Sequence, residues 1–234
     1  MALCSDAAMV LFYDIDGDTA DHDHWHSHEH LHERLSVPGF LRATRWIATE
    51  SGPRYMVTYE VSGTDVATSQ GYLDRLNDPT SWTGAIMPRF RGMMRGFCTI
   101  PASEGYGLGG FATAFRFQPG PGHEDAAASW IAQEVLQEIA YRPGVASVQL
   151  LRPTAPPPMT REQALRGADT PLPWLLIATG YDAALLGQAV ERGFDPASEA
   201  AAGLIGDVVA THYVLNHTAT ADEVARTPKP QFPR

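Results

Sequence analysis

Six of the nine histidines of this 234-residue chain fall in one short stretch, DHDHWHSHEHLHER, residues 21–34. An imidazole near neutral pH takes or gives a proton, or ligates a metal through a ring nitrogen. On a helix, alternate positions point in roughly opposite directions, so the six split into two rows. His22, His26 and His30 form one, at i, i+4 and i+8; His24, His28 and His32 form the other. His24 and His28 share a stripe with Leu31 and Leu35 and are expected to lean toward the core, with His26 and His30 on the flank beside Arg34. Three readings stay open. The segment is a solvated polar helix with two histidines half buried. Or His30 or His26 is an acid/base catalyst, with Arg34 beside it. Or His22, His26 and His30 hold a divalent metal, with Asp21, Asp23 or Glu29 adding oxygen ligands. No H-E-x-x-H is present, and His28-Glu29-His30 has the wrong spacing for one.

The elements that must position these rings follow from the flanking pattern. Residues 8–15 are short, apolar and closed by Asp16-Gly17-Asp18, which predicts a buried strand. A helix over 21–35 stops at Pro38-Gly39. Strands over 40–50 and 54–61 follow; in the second, Tyr55, Val57 and Tyr59 alternate with Met56, Thr58 and Glu60. A helix over 64–76 and a strand over 93–100 complete a βαββαβ unit, the ferredoxin-like plan. The order then repeats: strand 110–118, helix 124–141, strands 145–152 and 174–180, helix 183–192 and strand 208–216. A Pro-rich insertion, 153–173, reads as an exposed loop, and the tail 227–234 as extended. In one ungapped register Phe12 meets Phe117, Trp25 meets Trp130, Leu31 meets Leu136, and Pro38-Gly39 meets Pro143-Gly144. In that register His26, His30 and Arg34 meet Ile131, Val135 and Ile139. A scaffold requirement applies to both copies and a site need not, so function is expected in the first. The domains are thus residues 1–104, carrying the site, and 105–234. The predicted fold class is α+β: two tandem ferredoxin-like repeats, whose open sheet faces close into a barrel within one chain or between two.

Tyr13, Trp25, Trp46, Tyr59, Trp82 and Arg45 are the candidates to bind a flat organic substrate in an apolar cavity inside that barrel. GYGLGG at 105–110 precedes a strand and lacks Gly-Lys-Ser/Thr, so it reads as the linker between repeats. The net charge of −10 argues against nucleic acid and anionic membrane as partners. Two cysteines, Cys4 and Cys98, offer no disulfide framework, and the first residues carry no Lys or Arg. A cytoplasmic protein is the simplest expectation.

WHSHEHLHERLSVPGFLRATRW, followed by YMVTYEV and SWTGAIMPRFRGMMRG, resembles the EthD-like group of the dimeric α/β-barrel superfamily over about the first 100 residues. That group has a Trp-x4-His-Leu-x-Glu-Arg-Leu helix running into Pro-Gly-Phe and an Arg-rich strand. This chain departs from it with His32 where proline is usual. The resemblance implies that His30 lies near a pocket between the sheet and its partner, and that the ligand is a small molecule. A homodimer is the expected assembly. The superfamily spans isomerases, lyases, cofactor-free monooxygenases and haem proteins. The expected activity is a cofactor-independent lyase or isomerase acting on a small aromatic or unsaturated organic acid or ketone; no cofactor is favoured and haem is not expected. The alternatives are a metal-dependent enzyme using the histidine helix, and a small-molecule binder without turnover.

Overall fold

The computed structural model describes residues 4–198 and 201–227. Strand β1 (Ala7–Ile15) turns through Gly17 into helix α1 (19–35), where Asp18 caps the first turn by accepting the Ala20 N–H at 2.8 Å. Pro38-Gly39 ends the run into β2 (Phe40–Ala48). Gly39 sits at φ +99°, and a Cβ there would meet Val66 at 2.5 Å, so glycine is required. β3 (Tyr55–Val61) follows. The helix expected over 64–76 is broken at Ser69: a 3₁₀ turn (Thr64–Thr68) precedes α2 (Gln70–Asn77), whose N-terminus the Ser69 hydroxyl caps. α3 (Ser81–Ile86) leads to β4 (Phe90–Gly105), sixteen residues long.

The second repeat runs β5 (Phe111–Phe117), α4 (124–140), β6 (Val145–Pro153), α5 (Arg161–Arg166), β7 (Thr170–Pro171), β8 (Trp174–Gly180), α6 (Ala183–Gly193), β9 (Val209–Thr220) and α7 (Ala221–Arg226). Its helix repeats the first in detail. Each contains one π turn, His26–His30 in α1 and Ile131–Val135 in α4, at matching positions of the register read from the sequence. Gly144 repeats the positive φ of Gly39.

Within each repeat the strands are ordered 4-1-3-2, as β4-β1-β3-β2 and β9-β5-β8-β6. Two antiparallel seams join them, β2 to β9 and β4 to β6, so the eight strands close into a barrel within one chain. The excess length of β4 and β9 makes this possible. β4 pairs β1 through residues 90–99 and β6 through 98–105. Closure leaves no open edge among these eight strands.

Alternation then sorts the side chains. Phe12, Trp46, Met56, Leu175, Ile177 and Tyr213 pack together inside the barrel. Met9, Tyr13, Tyr59 and Phe97 face outward and are covered by Trp25 and Leu31 of α1 and by Tyr72 of α2. Among the described residues the barrel interior is therefore a packed core where a cavity was expected. Trp46 is part of that core, 2% exposed, and is turned away from the histidine helix. The insertion 153–173 is also not a free loop. Leu172 is buried in the barrel core, Thr154 donates to the Phe97 carbonyl at 2.8 Å, and α5 is laid across the first repeat. Residues 228–234 of the expected extended tail lie outside the described residues. Among the described residues no helix is long and apolar enough to cross a membrane.

Candidate active site

The inward row of α1 is His22, His26, His30 and Arg34, at 0%, 2%, 8% and 2% exposure. His24 and His28, expected to lean inward, are exposed, and His32 is half-buried. The π turn explains the phase. An ideal helix advances 40° over four residues, so a row at i, i+4, i+8 and i+12 would drift off the core. One wider turn at His26–His30 removes part of that drift and keeps the rings in line, with centroids 5.8 and 5.7 Å apart. In α4 the same row is Ala127, Ile131, Val135 and Ile139, all buried. One scaffold position set is thus packed with hydrocarbon in one copy and with ionisable groups in the other.

Each ring has a different engagement. His22 Nδ1 lies 3.0 Å from Asp23 Oδ1, and its Nε2 is 3.2 Å from the Tyr13 hydroxyl. The carboxylate can only accept, so Nδ1 carries the proton and Tyr13 donates to Nε2. His26 Nε2 is 3.4 Å from the Tyr59 hydroxyl. His30 lies against Trp25, with centroids 4.4 Å apart. The Nδ1 atoms of His26 and His30 are buried without a hydrogen-bond partner, as is Arg34 NH1. Arg34 NH2 donates to both oxygens of Glu162 at 2.6 Å; this glutamate comes from α5 of the second repeat.

His26, His30, Arg34, Tyr13 and Tyr59 line one cavity between α1 and the sheet, closed by Met87, Phe90, Met93, Arg95, Glu162 and Arg166. Its free space is about 20 Å³, room for a water molecule. Burial drives the affinities of both rings for a proton down. His30 is held well below the ordinary imidazole value by desolvation and then by the Arg34 charge, and His26 by desolvation and then by Arg45. Both are neutral at pH 7. Desolvation also pushes Tyr13 and Tyr59 well up, so both remain phenols. Neutral imidazoles accept protons and phenols donate hydrogen bonds, which suits proton transfer from a weak acid and support of the oxyanion it leaves.

The remaining expected residues are elsewhere. Trp25 is fully buried beneath α1, and its indole N–H donates to Thr83 at 3.2 Å. Trp82 lies against His24, away from the cavity. Arg45 binds Asn216, Ser27 and the Asp23 carbonyl, and faces a separate open cleft with His28, His32 and His217. The proposed ligand set His22, His26 and His30 does not converge. The rings are stacked along the helix, and two of them are held by tyrosines. Among the described residues no three His, Cys, Asp or Glu side chains are grouped to hold a metal ion. Glu162 and Arg166 of α5 were not legible, since nothing in the local sequence TREQALR, residues 160–166, tells which distant arginine a glutamate will meet. The cap Thr160, which accepts the Gln163 N–H, was the one available sign that this insertion holds a helix.

No protein-family model matches the chain, and no curated protein does. Solved structures do match along nearly the whole length. An anthrone oxidase-like protein aligns at TM-score 0.61 and 12% identity, covering 92% of this chain and 93% of its own. A candidate monooxygenase from Lactobacillus acidophilus NCFM aligns at 0.56 and 9%, covering 92% and 96%. A candidate chlorite dismutase aligns at 0.54 and 11%, covering 94% and 97%. At these identities the likeness is one of fold: the chain has the dimeric α/β-barrel architecture of ferredoxin-like units.

Proposed function

We propose that the first repeat is an enzyme site that removes a proton from a small aromatic or unsaturated organic acid or ketone without a cofactor. His30 is the proton acceptor, assisted by His26. Arg34 and the Tyr59 phenol support the negative charge that develops. The observation that carries this reading is the replacement of one apolar helix row by histidines and an arginine in one repeat only, around a buried cavity. Buried polar atoms without partners cost about 1–3 kcal/mol each, so a scaffold that fills the same row with Ile and Val in its second copy has no structural use for them. The finer likeness to the EthD-like group rests on the motifs of the first repeat, from WHSHEHLHERLSVPGF through SWTGAIMPRFRGMMRG, and belongs to this reading.

Lyase and isomerase chemistry both begin with that proton transfer. A second reading follows from the neighbours described as a monooxygenase and as anthrone oxidase-like. In it, the carbanion formed at the same site is oxidised by O2. An oxygen electrode separates the two. The base itself is tested by deuterium wash-in from D2O into activated C–H positions of a panel of small ketones and unsaturated acids. His26→Gln/His30→Gln is expected to lose wash-in by about 10²–10⁴-fold with its circular dichroism unchanged. Full retention of wash-in removes the proposal.

A further inference from the structure

The cavity has room for one water molecule, and a substrate with a carbon skeleton enters only if something moves. The element that closes it is the strap 154–173, which leaves the second repeat after β6, crosses to the first, and returns to β8. Both ends are tied down. Thr154 donates to the Phe97 carbonyl at 2.8 Å, and Thr170–Pro171 pairs with Met94 and Arg95 of β4. Its middle is held on the site chiefly by charge. Glu162 takes Arg34 with both oxygens, and Asp169 is shared between Arg95 at 3.1 Å and Arg166 at 3.0 Å. All five side chains are at most 8% exposed.

The count is unequal: three guanidiniums face two carboxylates. Arg34 stays charged, and removing its counterion without replacement leaves a buried charge uncompensated. A neutral ligand that pushed Glu162 aside would do that. A ligand carboxylate would not, because it offers Arg34 the same two oxygens. The displaced Glu162 has a partner within reach: Arg166 lies at i+4 on the same helix, the spacing at which such pairs meet, and can turn to it from Asp169, whose two oxygens it now holds, because Arg95 remains on Asp169. In that arrangement Arg34 holds the ligand, Arg166 holds Glu162 and Arg95 keeps Asp169, three cations against three anions.

We propose that Glu162 is a built-in stand-in for the acid group of the substrate, so that the site takes an organic carboxylate, which displaces Glu162 from Arg34 and frees the strap. This rests on the reading of the cavity as the site and narrows its substrate to an acid rather than a ketone. The test removes the stand-in and supplies a free one. Glu162→Ala deletes the part of the side chain that acetate replaces. Acetate is expected to raise the melting temperature of Glu162→Ala saturably, recovering most of what the substitution lost. Acetamide, or chloride at equal ionic strength, does not, and Arg34→Met/Glu162→Ala does not respond. If Glu162→Ala folds only when acetate is present, that is the same result. Should it fail to fold at all, Glu162→Gln is followed by hydrogen exchange, and acetate is expected to speed exchange across residues 161–166. Equal effects of acetate and acetamide in either variant overturn the proposal, as does a response that persists without Arg34. His30→Gln/Glu162→Ala separates the two readings: loss of wash-in with the acetate response intact supports both, retained wash-in sinks the base alone, and a missing acetate response sinks the stand-in alone.

Discussion

Mild acid is expected to loosen this protein through two imidazoles. His26 and His30 have an ordinary value of 6.5 when the chain is unfolded and are held well below it when folded, by burial first and by neighbouring arginines second. The folded state therefore binds these protons less readily than the unfolded state. Their stabilising contribution is complete above 6.5 and is lost as pH falls below it, until the folded values are reached. Between about pH 7.5 and about pH 5.5 each ring costs up to RT ln(1 + 10), on the order of 1 kcal/mol, and for a chain of this size the pair lowers the melting temperature by roughly a few degrees. Calorimetry across the pH range measures it directly. His30→Leu removes one of these two most deeply buried rings, and since burial also lowers His22 and His217, its melting temperature is expected to lose part of the pH dependence. The same variant also removes an unpartnered buried nitrogen, a gain of about 1–3 kcal/mol, against loss of the Trp25 ring contact, about 0.5–1.5 kcal/mol. At pH 7.5 it is thus expected to be as stable as the wild type or slightly more so. Parallel curves for wild type and His30→Leu would refute the argument, because the buried ring would then not be the group that acid attacks.

Arg34→Met alone leaves the Glu162 charge buried and is expected to destabilise by about 3–5 kcal/mol, whereas Arg34→Met/Glu162→Leu is expected to return close to wild type. A denaturant-melt double-mutant cycle reads both. Gly39→Ala places a Cβ against Val66 at a positive φ and is expected to cost about 1–3 kcal/mol by the same melt. Cys98 is buried in β4 with its thiol pushed up to about 12 by desolvation, while Cys4 is exposed. One thiol per chain is expected to react with a thiol reagent at pH 8 when native, and two in denaturant.

Local pattern carried much of the fold. The alternation of Tyr55, Val57 and Tyr59 against Met56 separates the helix-covered face from the barrel core, as expected, and the ungapped register from Phe12 to Gly39 reproduces even the π turns. A straight 3.6-residue projection turns the wrong side of α1 to the sheet because it leaves out the π turn, and because Leu31 and Leu35 are buried alongside the histidine row as well. Chemistry alone puts Trp46 in the pocket, whereas strand parity decides its face: with one extra residue, Leu41, bulged in β2, Phe40 lies on the helix side and Trp46 in the barrel core. The strap was the least legible part. Its proline run predicts no regular structure, and the Glu162–Arg34 pair joins residues 128 positions apart, a contact that only the closed barrel brings about.

The paired π turns also separate shape from chemistry. Both helices carry the widened turn at one equivalent place, His26–His30 and Ile131–Val135, although one row there is ionisable and the other is hydrocarbon. The bend therefore belongs to the scaffold and not to the polar groups. On such a helix side chains can be exchanged without redrawing the backbone, and one half can be furnished for reaction while the other stays purely supporting.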